Sequence, residues 1–171
     1  MKVTGGATLD APRAAVFAAI CDAGTLLEVI PGCQAIEQVS TDEYRGRISL
    51  RLPAIVGTYD TIVRLVESEP PAWGVLEGRL DGRVGTIAGQ ATFRLAEDGP
   101  RTIVTYDGTA VVSGPLARLD SRFIEGLARS MVNDGLVRLG RRLAAVPVVA
   151  PAAAPVAKTP VAKAPVAKAV R

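Results

Sequence analysis

TIVTYDGTAVVSGPLARLDSRFIEGLARSM, residues 102–131, changes its apolar period halfway along. Residues 102–112 are rich in β-branched side chains and alternate, which predicts a strand. At Gly114-Pro115 that pattern stops. Leu116, Leu119, Phe123, Leu127 and Met131 then recur at spacings of three and four, and Ile124, Ala128, Val132, Leu136, Leu139 and Leu143 widen the stripe. Arg118, Arg122, Arg129, Arg138, Arg141 and Arg142 sit mainly away from it. The spacing predicts one long amphipathic helix from Gly114-Pro115 to about Leu143, with one face laid on the preceding strands.

Working back from this junction, residues 35–40, 43–52, 58–69, 73–80 and 86–96 read as further strands. Turn residues separate them: Thr41-Asp42, Pro53 to Gly57, Pro70-Pro71, Asp81-Gly82 and Glu97 to Pro100. Tyr44, Ile48, Leu50 and Leu52 alternate with Arg45, Arg47, Ser49 and Arg51, the pattern of an antiparallel sheet with one buried and one wet face. Upstream, residues 4–9 form a first strand, Pro12 opens a helix carrying Val16, Phe17 and Ile20, and residues 25–29 form a second short helix. The order of strand, two short helices, six strands and one long helix is satisfied by an α+β fold in which a curved seven-stranded antiparallel sheet grips a C-terminal helix.

Downstream, residues 146–171 contain little but Ala, Val, Pro and Lys and close in a repeated Pro-Val-Ala-Lys motif. Pro147, Pro151, Pro155, Pro160 and Pro165 lack an amide proton, so an extended tail is expected beyond a boundary at residue 145. Lys158, Lys163, Lys168 and Arg171 give this tail four positive charges and no acid, so the chain's net +3 leaves about −1 for residues 1–145. Near an anionic leaflet four such charges are worth roughly 4 kcal/mol, a weak and salt-sensitive attraction suited to membrane or partner contact. The body has arginines scattered among carboxylates and few aromatics, so nucleic-acid binding is disfavoured.

The chain has no His, which removes Ser-His-Asp and Cys-His triads and every mixed Cys/His zinc site. Its two cysteines, Cys21 and Cys33, are too few for a disulfide framework or a four-thiolate metal site, and neither has a neighbouring base to make thiolate. The paired acids Asp42 and Glu43, Glu67 and Glu69, and Glu97 and Asp98 fall at turns, where solvated surface carboxylates are expected. Gly82 to Gly85 joins two strands without a following helix, so it is read as a hairpin and not as a phosphate cradle. No run of eighteen apolar residues and no apolar leader is present, and the expectation is a cytoplasmic protein.

Ala11-Pro12-Arg13 with Val16-Phe17, Ile30-Pro31-Gly32-Cys33, Val104 to Asp107, Ser113 to Leu119 and Arg122-Phe123-Ile124, taken together and in this order, resemble the CoxG family of carbon monoxide dehydrogenase subunits. That family is part of the START-like, Bet v 1-like (SRPBCC) superfamily. The resemblance spans about residues 2–143 and departs at Asp120, where many relatives carry glycine. It implies a helix-grip domain with an apolar cavity between sheet and long helix and no metal or covalent cofactor. It also implies a molybdenum-containing CO dehydrogenase-type hydroxylase as partner, a place on the inner face of the cell membrane, and handling of a respiratory quinone, menaquinone or ubiquinone.

The residues themselves lend support to a cavity. Gly46, Gly78, Gly85, Ala88, Gly89, Ala91, Gly108 and Ala110 recur in the strands, and only three Phe, three Tyr and one Trp are available to fill the interior. The expected lining is Leu119, Phe123, Leu127 and Met131 from the helix with Trp73, Phe93 and Tyr106 from strands, Tyr106 or Trp73 offering a polar handle. Ile30, Pro31, Gly32 and Cys33 are expected at the mouth. Three functions remain open: a non-enzymatic quinone or lipid carrier, which is the reading favoured; an assembly or membrane-recruitment factor acting through the outer sheet face; and a cyclase- or dehydratase-like enzyme of the same fold.

Overall fold

A computed structural model describes residues 1–145, so the tail and its four charges lie outside the described residues. The chain runs β1 (Lys2–Leu9), α1 (Arg13–Ile20), α2 (Ala23–Val29), β2 (Cys33–Ser40), β3 (Glu43–Leu52), β4 (Ile55–Glu69), β5 (Trp73–Gly82), β6 (Gly85–Asp98), β7 (Arg101–Ser113), a short 3-10 helix (Gly114–Arg118) and α3 (Ser121–Ala145). All seven strands pair antiparallel in one curved sheet of order β1-β7-β6-β5-β4-β3-β2. β2 to β7 therefore form a meander, and β1 is added beside the last strand.

The long helix does not begin at Gly114-Pro115 as its periodicity suggests. Gly114 adopts φ +78°, the 3-10 helix ends at Arg118, and Leu119-Asp120 separate it from α3. Asp120 supplies the new start: its carboxylate accepts the Arg122 N–H at 2.8 Å, and its carbonyl accepts from Phe123 and Ile124. Two turns also move. β4 begins at Ile55, leaving only Pro53-Ala54 in the hairpin, and β5 extends through Asp81 and Gly82, so that turn is Arg83-Val84.

Two apolar clusters hold the layers together. One joins Leu9, Val16, Phe17 and Val29 to Phe93, Leu95, Val104, Leu136 and Leu139, with the Phe17 and Phe93 rings 5.7 Å apart. The other joins Ile48, Leu50, Ile55, Tyr59 and Leu116, with half-buried Leu119, Leu127 and Met131 against it. The C-terminal half of α3 thus seals the first cluster and its N-terminal half roofs the second, and Ile30 touches both.

Aromatic rings inside the sheet lie over glycines on the neighbouring strand. Tyr59 is paired with Gly82, Phe93 with Gly74 and Tyr106 with Gly5. A Cβ on Gly82 would stand 2.5 Å from the Tyr59 ring, which is fully buried and has nowhere to turn. Gly82→Ala is therefore expected to cost about 1–3 kcal/mol of stability through overpacking, read in a urea titration. An unchanged midpoint would mean that the ring is not pressed against this strand.

Candidate functional site

The inward face of the sheet and the N-terminal half of α3 meet at a small opening beside the second apolar cluster. The Ile30–Cys33 turn provides the rim. Gly32 has φ +79°, its carbonyl accepts the Ser49 N–H at 2.8 Å, and the Cys33 N–H closes the turn onto the Ile30 carbonyl at 3.1 Å. An opening of about 160 Å³ lies between this turn, β3 and α3, bounded by Pro31, Gly32, Leu50, Leu52, Leu127 and Met131. Ser49, Arg51, Ser130 and Asp134 are the polar groups around it.

The seven expected lining residues do not converge. Leu119, Leu127 and Met131 meet beside the second cluster, and Leu127 and Met131 reach the opening. Phe93 and Tyr106 belong to the first cluster; Phe93 is 6% exposed, and the Tyr106 hydroxyl donates to Asn133 Oδ1 at 3.2 Å. Two assignments are corrected. Trp73 begins β5 in register with Glu69 and Arg94, and strand alternation puts it on the outer face with Glu77 and Arg79, where its indole N–H donates to Glu69 at 3.1 Å. Phe123 is 39% exposed because Ile124 and Leu127 take the inward positions of the first α3 turns.

The small residues are small for more than one reason. A Cβ on Gly46 or Gly89 would strike a neighbouring strand's carbonyl oxygen at 2.3 or 2.2 Å, so these glycines permit close strand approach. Gly85 sits at a turn with φ +141°, and Ala88 lies on the outer face opposite Arg79. Gly78 differs: a Cβ there would meet nothing closer than 3.9 Å, leaving real space on β5.

Sequence reasoning missed two polar groups. Tyr59 and Thr61 are successive inward residues of β4, 0% and 6% exposed, and neither hydroxyl has a hydrogen-bond partner among the described residues. Burial pushes the Tyr59 phenol above its ordinary pKa, so it stays a neutral donor. An unpartnered buried hydroxyl costs about 1–3 kcal/mol, so each of these two would gain from a further polar partner. The Cys33 thiol is also raised, chiefly by burial, and donates weakly to the Ala35 carbonyl at 3.6 Å. It has the protonation of a structural cysteine.

The outer sheet face carries a broader depression of about 1260 Å³ floored by Ile62, Gly78 and Ala88. Its rim is ion-paired: Arg45 and Arg64 both reach Glu43, at 2.9 and 3.0 Å, and hold that carboxyl below its usual range. These pairs are solvated and contribute little to stability. Among the described residues no group of three or more His, Cys, Asp or Glu side chains gathers as metal ligands, and no helix is long and apolar enough to cross a membrane.

With this geometry in place, the chain can be set beside known proteins. Residues 5–144 match the CoxG family of carbon monoxide dehydrogenase subunits. No curated protein matches the sequence. A conserved protein from Geobacillus kaustophilus superposes with a TM-score of 0.80 at 23% identity, the match covering 84% of this chain and 95% of that one. A START superfamily protein from Mycobacterium smegmatis superposes with a TM-score of 0.65 at 14% identity, covering 84% and 97%. At these identities the likeness is one of fold, and it agrees with the helix-grip architecture.

Proposed function

The chain belongs to the CoxG family of carbon monoxide dehydrogenase subunits, and from that premise we propose that it is a non-enzymatic carrier for a respiratory quinone or a similar lipid, serving a molybdenum CO dehydrogenase-type hydroxylase at the membrane. The observation that carries this reading is the opening between the Pro31-Gly32 turn and α3, bordered by Leu127 and Met131, which pack on the apolar cluster that contains Tyr59, whose hydroxyl, like that of Thr61 on the same strand, has no hydrogen-bond partner among the described residues. An apolar site with one or two donors suits a molecule that is hydrocarbon with a carbonyl head. The quinone, menaquinone or ubiquinone, is cargo; it supplies the redox chemistry, and the protein supplies shelter and orientation. The tail residues Lys158, Lys163, Lys168 and Arg171 add a second contact with membrane or partner.

Tyr59 and Thr61 take the role that sequence reasoning gave to Tyr106 or Trp73. Tyr59→Phe is expected to weaken menaquinone binding about tenfold while leaving the empty protein as stable or slightly more so, because the lost hydroxyl has no partner among the described residues. Squalene, which has no carbonyl, should bind both forms alike. The test of the reading as a whole is native mass spectrometry of the purified protein, followed by extraction of what accompanies it and titration with menaquinone. A protein that arrives empty and takes up none would overturn it. The outer depression favours the second reading, an assembly or recruitment factor, and that reading then takes its place.

A further inference from the structure

The N-terminal half of α3 is flanked by two openings that differ in chemistry. The one beside β3 has Ser49, Arg51, Ser130 and Asp134 around it. A second, of about 270 Å³, lies between the end of β7, the 3-10 helix and the first turn of α3, bounded by Ala110, Val112, Ala117, Leu119 and Ile124. Of the described residues around it only Ser121 has a polar side chain. In the sheet order β7 and β3 are separated by four strand spacings, about 19 Å, so the two openings lie towards opposite margins of the sheet.

One cross-strand row of the inward face starts at the second opening. Val112 is paired with Ile87, Ile87 with Leu80, and Leu80 with Thr61. Val112, Ile87 and Leu80 are only partly buried, although β5 and β6 are central strands. The end of the sheet behind them is closed by the 3-10 helix, where the Leu116 N–H meets the Val84 carbonyl of the β5–β6 turn at 2.9 Å. Accessible apolar side chains at such a place mean that the layer above them is not filled to the density of an ordinary core. Thr61 stands three strand spacings from Val112, about 14 Å, and brings the row to an unpartnered hydroxyl on a residue 6% exposed, with Tyr59 two residues earlier. Leu119 at the second opening and Leu127 and Met131 at the first pack on the same cluster.

We propose that the second opening is the exit for the hydrocarbon chain of a ligand whose oxygen-bearing ring is held at Tyr59 and Thr61. The chain lies over Leu80, Ile87 and Val112 and leaves past Ala117, Leu119 and Ile124. A rim almost without polar side chains suits hydrocarbon passing through it, since each methylene held there is kept from water. The rim beside β3, with two charged residues and two serines, does not. The ligand class is thus a carbonyl-bearing ring with a prenyl chain longer than the roughly 14 Å between ring site and exit, so that its end emerges. This rests on the carrier reading and adds to it the path of the chain and a dependence of affinity on chain length.

The test is equilibrium uptake from detergent, by the full chain, of long-chain menaquinone and of menadione, which has the same ring and no prenyl chain. Wild type should bind the long-chain form at least about tenfold more tightly. Ala117 is exposed, so Ala117→Trp narrows the exit without entering the core; it should remove most of that difference and leave menadione binding unchanged, with circular dichroism checking the fold. In an Ala117→Cys protein, labelling of the new thiol by a water-soluble maleimide, read by peptide mass spectrometry, should slow when long-chain menaquinone is bound and not when menadione is. If wild type binds both quinones equally, if Ala117→Trp takes up the long-chain form like wild type, or if that form leaves the new thiol as reactive as before, the exit is wrong and the carrier reading stands. If wild type takes up neither quinone, the carrier reading falls and the exit with it.

Discussion

Leu127→Asp is expected to abolish quinone uptake, with affinity falling more than about a hundredfold, while the protein stays folded. Leu127 is half-buried, lies against the cluster of Ile48, Leu50, Ile55, Tyr59 and Leu116, and borders the opening with Pro31 and Met131. In the empty protein a carboxylate there keeps part of its hydration through the opening, which limits the folding cost. When an apolar molecule enters, that water is lost and no cation replaces it. Asp134 borders the same opening and adds like-charge repulsion. Both effects raise the pKa of the new carboxyl, so its charged form is depleted as pH falls, and uptake should recover in part near about pH 5 and be weakest at neutral pH. Phe123→Asp, four residues earlier, should leave uptake from detergent unchanged, because Phe123 points to solvent. Fluorescence titration with menaquinone reads both variants, and circular dichroism checks the fold. A Leu127→Asp protein that titrates like wild type would place the ligand elsewhere.

The architecture was legible because two periodicities carry it. Arg45, Arg47 and Arg51 against Tyr44, Ile48 and Leu50 announce a one-sided sheet, and the break at Gly114 announces the helix that covers it. The site was less legible, for reasons that particular residues make plain. Size and aromaticity suggested Trp73 as lining, yet its parity within β5 is opposite to that of the inward leucines Leu76 and Leu80, and alternation counted from those leucines would have placed it outside. Phe123 shares the apolar spacing of α3, but the helix starts afresh at Asp120, and that restart gives the inward positions to Ile124 and Leu127. Asp120, a departure from the family pattern, is itself the start signal, since aspartate is a strong capping residue. Tyr59 and Thr61 sit at inward parity on β4 and could have been placed, but whether a buried hydroxyl finds a partner depends on neighbours distant in sequence.

Within the Pro31-Gly32-Cys33 motif the structural weight rests on the glycine, so Gly32→Ala should be the most destabilising single-methyl addition at the site. At φ +79° any side chain is strained, and the added Cβ would stand 2.1 Å from the Ser49 carbonyl oxygen and 3.2 Å from its carbon. Those atoms belong to the backbone of a paired strand, so they cannot swing aside as a side-chain end would. Relief requires the turn to lift from β3, which breaks the hydrogen bond from the Ser49 N–H to Gly32 and shifts Ile30, the residue packed against both clusters. The expected cost is about 3 kcal/mol or more, a drop in Tm of roughly 10 °C for a domain of this size. Quinone affinity should fall with it, because the rim of the opening and the packing of the core depend on the same turn. Cys33→Ser is the contrasting variant: the thiol is protonated and makes one weak contact, so its loss should change stability by less than about 1 kcal/mol and leave uptake unaltered. If Gly32→Ala melts with wild type while Cys33→Ser loses binding, the motif acts through its thiol, and the opening is a chemical site and not a doorway.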